Sequence, residues 1–170
     1  MDGWPPWHSL GDKIQALVVK RGVRAIGDFA FCDLPNLKKI ELHPCVKSIG
    51  GSAFMGCSNL KTITIPERVS KIGVSAFECY SSLKSIILPK KLSEVKCWSF
   101  SGCKKLKEIN KKNVGTIGEG AFDCTTISIK EAHFIKEDID FMIDYGKKIK
   151  GLDGPKGAAI FNKTLKTARK

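Results

Sequence analysis

The sequence predicts a β-rich solenoid, a right-handed coil of about five stacked repeats that ends in a C-terminal α-helical cap. Two observations predict the coil. A phenylalanine recurs at intervals of 23, 23, 23 and 22 residues, and a set of aliphatic, glycine and lysine positions recurs with it. Each copy also contains a short β-branched stretch in which apolar and polar residues alternate. Since such a unit buries its apolar face only against a neighbouring copy, function is expected on stacked surfaces rather than in a pocket.

The repeat has the skeleton V-x-x-I-G-x-x-A-F-x-x-C-x-x-L-K-x-I-x-I-P, centred on Phe31, Phe54, Phe77, Phe100 and Phe122. The stretch L-K-x-I-x-I predicts a half-buried strand, and a proline that cannot donate to a sheet ladder ends it at Pro66 and Pro89. The stretch V-x-x-I-G predicts a shorter extended segment. Its glycine indicates a turn that needs positive φ or close backbone approach. The phenylalanine is expected in the interior as the largest core group of each coil.

These units resemble the BspA-like leucine-rich repeats, which carry the same I-G-x-x-A-F, C-x-x-L-K-x-I and I-P elements. The resemblance covers Val18 to Ile129, and Pro6-Trp7 followed by IQALVVKRGV looks like the segment that this family places before its first full repeat. It implies a leucine-rich-repeat solenoid used for adhesion and protein binding rather than catalysis. The organisation expected is an N-terminal cap over 1–22, five repeats over 23–129, a capping helix over 130–150 and a basic flexible tail over 151–170.

Both ends of an uncapped solenoid expose apolar groups and strand edges, so covering segments are expected there. Trp4, Trp7 and Leu10 are available at the N-terminal end. Apolar residues at helical spacing over 130–150 predict an amphipathic capping helix, with a partner-docking helix as the alternative. The tail is expected to order on an anionic partner, because basic residues dominate the C-terminal region: Lys147, Lys148, Lys150, Lys156, Lys163, Lys166, Arg169 and Lys170.

Composition narrows the functional classes. The 170 residues are 42% hydrophobic and 27% charged, which is typical of a soluble globular protein, and the formal net charge is +12. The start of the chain lacks the pattern of a secretory signal, so a cytoplasmic location is expected, with the cell surface by an unrecognised route as the alternative. Seven cysteines without a CxxC pair or a closely spaced Cys/His cluster indicate reduced, mostly buried thiols and no zinc site; one bridge between adjacent repeats, such as Cys57 to Cys79, is the alternative.

Two stacked surfaces are candidate binding sites. The outward positions of the longer strands form a face for a protein or glycan ligand, although a merely solvated sheet fits them as well: Lys39, Glu41, Thr62, Thr64, Ser85, Ile87, Glu108 and Asn110. Beside that face runs a basic stripe with one lysine per repeat, Lys38, Lys61, Lys84 and Lys107. Such a stripe suits phosphates, sulfated sugars or an acidic protein, but taken alone it is better explained as protection against sheet aggregation.

No nucleophile motif, paired-carboxylate signature, P-loop or dinucleotide fingerprint is present, so no catalytic, cofactor-binding or metal-binding residue is predicted. The first hypothesis is therefore a non-enzymatic interaction module that binds a protein or glycan through its strand face. The second is a basic structural subunit of an intracellular assembly, such as a ribonucleoprotein, that the lysine-rich tail anchors to RNA or an acidic protein. Outside any larger assembly the chain is expected to be a monomer.

Overall fold

A computed structural model describes residues 5–90, 92–109, 114–125 and 127, which all belong to one compact unit, residues 1–133. The predicted capping helix over 130–150 and the basic tail over 151–170 lie outside the described residues, as do Trp4 and Asn110. These expectations stay predictions.

The described part of the chain contains one short 3₁₀ helix, His8–Lys13, and ten short strands. The strands are β1 Ala16–Val19, β2 Ala25–Ile26, β3 Lys39–Leu42, β4 Ser48–Ile49, β5 Thr62–Thr64, β6 Lys71–Ile72, β7 Ser85–Ile87, β8 Glu94–Val95, β9 Glu108–Ile109 and β10 Thr116–Ile117. Each of the first four repeats thus contributes one strand from V-x-x-I-G and one from L-K-x-I-x-I, as the sequence predicts, and the described part of the fifth contributes β10.

All strand pairs are parallel and join equivalent positions of successive repeats. Ile26 lies opposite Ile49, and Ile49 lies opposite Ile72, so the partners are one repeat apart. The shorter strands form one five-stranded sheet in the order β2-β4-β6-β8-β10. The longer strands form a two-stranded sheet, β1-β3, and a three-stranded sheet, β5-β7-β9. This one-repeat register confirms the predicted β-solenoid.

The core is built from columns of equivalent side chains. The leucine that opens each L-K-x-I-x-I stretch is fully buried in four successive repeats: Leu37, Leu60, Leu83 and Leu106. The phenylalanines stack face to face, with ring centroids 5.5 Å apart between Phe54 and Phe77 and 5.3 Å apart between Phe77 and Phe100. The predicted interior position of the phenylalanine is therefore confirmed.

The N-terminal segment extends this aromatic stack by one ring. Trp7 lies 5.5 Å from Phe31, nearly parallel to it, and donates a hydrogen bond from its indole Nε1 to the carbonyl of Ala30 at 2.8 Å. Leu10, which was expected to help close the first coil, is exposed instead. Its place in the short 3₁₀ helix leaves its side chain outside the core, so Trp7 covers the first phenylalanine without it.

Three of the four I-G glycines, Gly50, Gly73 and Gly118, allow close packing of successive coils, and none of the four has positive φ. A Cβ added at Gly73 would lie 2.5 Å from the carbonyl carbon of Gly50, the equivalent residue one coil earlier. The left-handed backbone occurs instead three residues after the isoleucine or valine that ends each shorter strand, at Phe29, Ser52, Ser75, Trp98 and Gly120. Because four of these five residues carry a side chain, the repeat holds strained backbone where no glycine marks it.

Candidate functional site: the strand face

The strand face consists of the outward side chains of β1, β3, β5 and β7, and β9 continues the row of strands beside β7. Residues alternate between the two sides of each strand, so Ile63 and Ile86 point into the core while their neighbours point outward. Thr62 lies opposite Ser85, and Thr64 lies opposite Ile87. Burial and register thus bring the predicted outward residues of β5 and β7 together on one surface.

Exposure varies across the predicted face. Lys39, Glu41, Thr62 and Thr64 are exposed, whereas Ser85 is only half-buried. Lys39 and Glu41 form an ion pair within β3, with both side chains more than half exposed. Such a surface pair contributes little to stability, which leaves both groups available to a ligand. Glu108 lies opposite Ser85 in β9, and Asn110 lies outside the described residues.

An isoleucine at the centre of the face is unusually open. Ile87 is 58% exposed and is flanked by a threonine on β5 and a serine on its own strand. The core-facing residues of the same strands are almost fully buried. Ile87 is therefore exposed because it points outward, and not because the coil is loosely packed. One large aliphatic group beside short polar side chains gives this part of the face an exposed apolar residue.

Sequence reasoning missed the contribution of β1 to this face. Val18 is 54% exposed and lies opposite Glu41, and Ala16 lies opposite Lys39. The signal was present, because IQALVV aligns with the L-K-x-I-x-I stretch one repeat earlier than Leu37. The face therefore begins one strand earlier than predicted, with a second exposed aliphatic residue near its N-terminal end.

The strand ladder of the face is interrupted between β3 and β5. Strand β3 pairs with β1, and β5 pairs with β7, but no strand ladder joins β3 to β5 among the described residues. The five-stranded sheet on the other side of the coil runs through the same repeats without interruption. The charged residues on β3 thus lie next to the threonine and isoleucine part on β5 and β7, without a strand ladder between β3 and β5.

The predicted basic stripe lies along the edge of the face, where each chain turn leads into a longer strand. Lys38, Lys61, Lys84 and Lys107 are all exposed. Backbone hydrogen bonds hold their rows in register, from Lys84 N–H to the Lys61 carbonyl at 2.9 Å and from Lys107 N–H to the Lys84 carbonyl at 3.2 Å. At the first row the Lys38 Nζ donates to the side-chain oxygen of Gln15 at 3.3 Å.

The repeat cysteines serve the interior of the coil. All seven cysteines are free, so the alternative of a bridge between adjacent repeats is not observed. The thiols of Cys57 and Cys103 donate to the carbonyls of Phe31 and Phe77 in the preceding coil, at 3.4 and 3.3 Å. Burial raises the pKa of Cys57 to about 11 and that of Cys103 to about 12. These thiols therefore stay protonated as donors rather than acting as nucleophilic thiolates.

A buried glutamate lies in the third repeat, outside the longer strands. Glu78 is 6% exposed, and burial raises the pKa of its carboxyl from the ordinary 4.5 to about 7. A hydrogen bond from the Ser75 hydroxyl opposes this effect in part. Within the described ranges no group of three or more His, Cys, Asp or Glu side chains is arranged to hold a metal ion. No helix in the described part of the chain has the length and apolar character needed to cross a membrane.

Comparisons with known proteins agree with this architecture. The family model described as the BspA type leucine rich repeat region matches six copies over residues 13–142. No curated protein has a significantly similar sequence. The match begins at residue 13, upstream of the first full repeat, in the segment that contributes β1.

Several solved bacterial structures resemble the chain. A leucine rich cell surface protein from Faecalibacterium prausnitzii A2-165 is 30% identical, with a TM-score of 0.63, over 75% of this chain and 34% of that protein. A leucine rich repeat protein of T. pallidum is 25% identical over 63% of each chain, with a TM-score of 0.47. One from Eubacterium ventriosum is 25% identical over 64% of this chain and 34% of that protein, with a TM-score of 0.48. The chain spans about a third of the Faecalibacterium protein. On its repeat skeleton, its one-repeat register and the family match, the chain belongs to the BspA-type leucine-rich-repeat family.

Proposed function

We propose that this chain is a non-enzymatic protein-interaction module whose strand face binds a protein partner. The observation that carries the proposal is the exposed Ile87 on β7, the middle strand of the sheet β5-β7-β9. Burying an isoleucine side chain contributes about 1.5–3 kcal/mol, and interfaces draw most of their binding energy from a few well-packed residues. Thr62 and Thr64 supply hydroxyl groups around it, and the Lys39–Glu41 pair supplies charge at the edge.

The repeat family supports this proposal, since solenoids present extended surfaces that bind other macromolecules. The Faecalibacterium relative is named a cell surface protein, which suits an adhesive role for that protein. For this chain the cytoplasmic location stays a prediction. A glycan partner fits the threonines but leaves Ile87 without an apolar contact, so the protein partner is preferred.

The test compares two double variants of the full chain in affinity capture from a native lysate. Thr64→Glu with Ile87→Glu places two charges on the strand face. Ser70→Glu with Thr116→Glu places two charges at exposed positions beside and within the five-stranded sheet, and serves as the control. Proteins that bind the unaltered chain and the control but not the strand-face variant are the expected partners. Equal capture by both variants contradicts the proposal.

The same capture separates the proposal from the assembly hypothesis. Deleting 151–170 is expected to leave the partner bound, because the strand face lies in the described repeats. Loss of binding on that deletion, with a steep fall of affinity in salt, would instead favour an RNA or acidic-protein partner held by the tail. Persistence of binding without the tail, together with its loss in the strand-face variant, excludes that reading.

A further inference from the structure

A second surface of this chain carries a concentration of positive charge that the strand face does not explain. We call this surface the basic corner. It is formed by the turns that lead into the longer strands of three successive repeats, with the sequences SNLK, SSLK and KKLK. Its lysines are Lys61, Lys84, Lys104, Lys105 and Lys107, and all five are exposed. The leucine of each segment points into the core, so the remaining side chains are the ones presented outward.

The basic corner is held in a fixed register by the stack beneath it. The Lys84 N–H donates to the Lys61 carbonyl, and the Lys107 N–H donates to the Lys84 carbonyl. In the turns, the Ser82 N–H donates to the Ser58 carbonyl at 3.2 Å. Parallel strands lie about 4.8 Å apart, so three rows place their ammonium groups along about 10 Å before the side chains spread. A ligand therefore meets a preorganised backbone with several cationic side chains in line.

No lysine of the basic corner has an ion-pair partner among the described residues. SNLK, SSLK and KKLK contain five lysines and no acidic residue. The ion pairs found among the described residues involve Lys39, Lys71 and Lys96, all outside the corner. Like charges fixed a few ångströms apart repel one another, and a polyanion that lies across them relieves this repulsion by neutralising several at once.

The side chains between the lysines select among polyanions. The corner has no aromatic residue on which bases stack, which single-stranded nucleic acid sites use. It has no exposed apolar residue to form the core of a protein interface. It does offer serine hydroxyls beside the lysines, at Ser58, Ser81 and Ser82. Ammonium and hydroxyl groups together match a polymer that carries both anionic groups and hydroxyls.

We propose that the basic corner binds a sulfated polysaccharide. Its sulfates pair with the lysines of successive coils, and its hydroxyls exchange hydrogen bonds with the serines of the turns. This surface lies at the edge of the strand face and uses different residues. The proposal therefore does not depend on the identity of the protein partner.

The test measures binding of the full chain to heparin, with desulfated heparin as the comparison, over a series of salt concentrations. Lys61→Gln, Lys84→Gln and Lys107→Gln together remove one lysine from each row of the corner. Lys20→Gln, Lys47→Gln and Lys90→Gln together remove the same charge from exposed positions elsewhere and serve as the control. Thermal unfolding of both triple variants verifies that they are folded.

The corner variant is expected to lose roughly tenfold or more in affinity, and the slope of log affinity against log salt is expected to fall by about 2, at about 0.7 for each neutralised anion. The control is expected to lose less than about threefold, since screening weakens distant charges. Equal losses in the two variants, or equal binding of desulfated heparin, would overturn the proposal. Tighter binding of polyphosphate or a single-stranded oligonucleotide of matched charge would also overturn it. None of these outcomes bears on the strand-face variant.

Discussion

The buried Glu78 predicts a stability profile that falls as pH rises through the neutral range. Its carboxyl is 6% exposed, its pKa is raised to about 7 by burial, and Ser75 is its hydrogen-bonding partner. The thiols of Cys79 and Cys103 lie near enough that the Glu78 charge raises their pKa values in turn. No ion pair among the described residues includes Glu78, so burial of its charge is not offset by a cation.

The magnitude follows from the two pKa values. Between pH 4.5 and 7 the folded state keeps the Glu78 proton while the unfolded state has lost it, so the free energy of unfolding decreases as pH rises. The contribution of the Glu78 proton to the free energy of unfolding is fully present below pH 4.5. It is lost progressively as pH rises to about 7, and the free energy of unfolding does not change further through this group above that pH. A change from 4.5 to about 7 corresponds to about 3 kcal/mol, at about 1.36 kcal/mol for each pKa unit.

Urea unfolding at intervals from pH 4 to pH 8, with reductant present, measures this effect in the unaltered chain and in Glu78→Gln. The difference between the two curves isolates Glu78 from the other groups that titrate in this range. As pH rises from 4.5 to 8, the free energy of unfolding of Glu78→Gln is expected to increase by about 1–3 kcal/mol relative to that of the unaltered chain. Most of this increase is expected below pH 7. Parallel curves, or a difference that grows as pH falls, would refute the assignment of a buried neutral carboxyl.

Further predictions concern the packing of the coil. Tyr80 occupies the cysteine position of its repeat, and its buried hydroxyl lies beside the Cys57 sulfur without the geometry of a hydrogen bond. Tyr80→Phe is therefore expected to raise the free energy of unfolding by about 1 kcal/mol in urea titration, and Tyr80→Cys to lower it by about 3 kcal/mol through the cavity left beside Phe77. A loss of stability in Tyr80→Phe would mean that the hydroxyl has a partner. Gly73→Ala is expected to cost about 1–3 kcal/mol because its new Cβ meets Gly50. Gly27→Ala, whose Cβ would meet nothing within 4 Å, should change stability by less than about 1 kcal/mol; equal melting temperatures for the two glycine variants would contradict this packing.

The coil, its core columns and its strand register were predictable because a single burial pattern repeats. The leucine and phenylalanine positions recur once in every coil. The spacing of Phe54 and Phe77 is therefore also the spacing of the residues that lie opposite one another in neighbouring strands. The interior position of the cysteines was likewise predictable from their phase, although the carbonyls they bond were not.

The features that the sequence did not predict depend on contacts between coils. Left-handed backbone at Ser52 and Ser75 has no glycine to signal it, because stacked turns impose that conformation. Burial of Glu78 was not predictable, since equivalent positions carry Met55 and Ser101 and the repeat pattern treats the site as variable. The interruption between β3 and β5 has no counterpart in the repeat spacing, which is the same there as elsewhere.

Site-specific photo-crosslinking tests the central claim, that the strand face is the binding surface, most directly. A photoreactive phenylalanine analogue replaces Ile87 in one form of the full chain and Thr116, an exposed residue of β10 in the five-stranded sheet, in the other. After irradiation in native lysate, the account predicts a discrete protein adduct from position 87 that Thr64→Glu abolishes, and none from position 116. The same adducts from both positions, or adducts from position 116 alone, would contradict it.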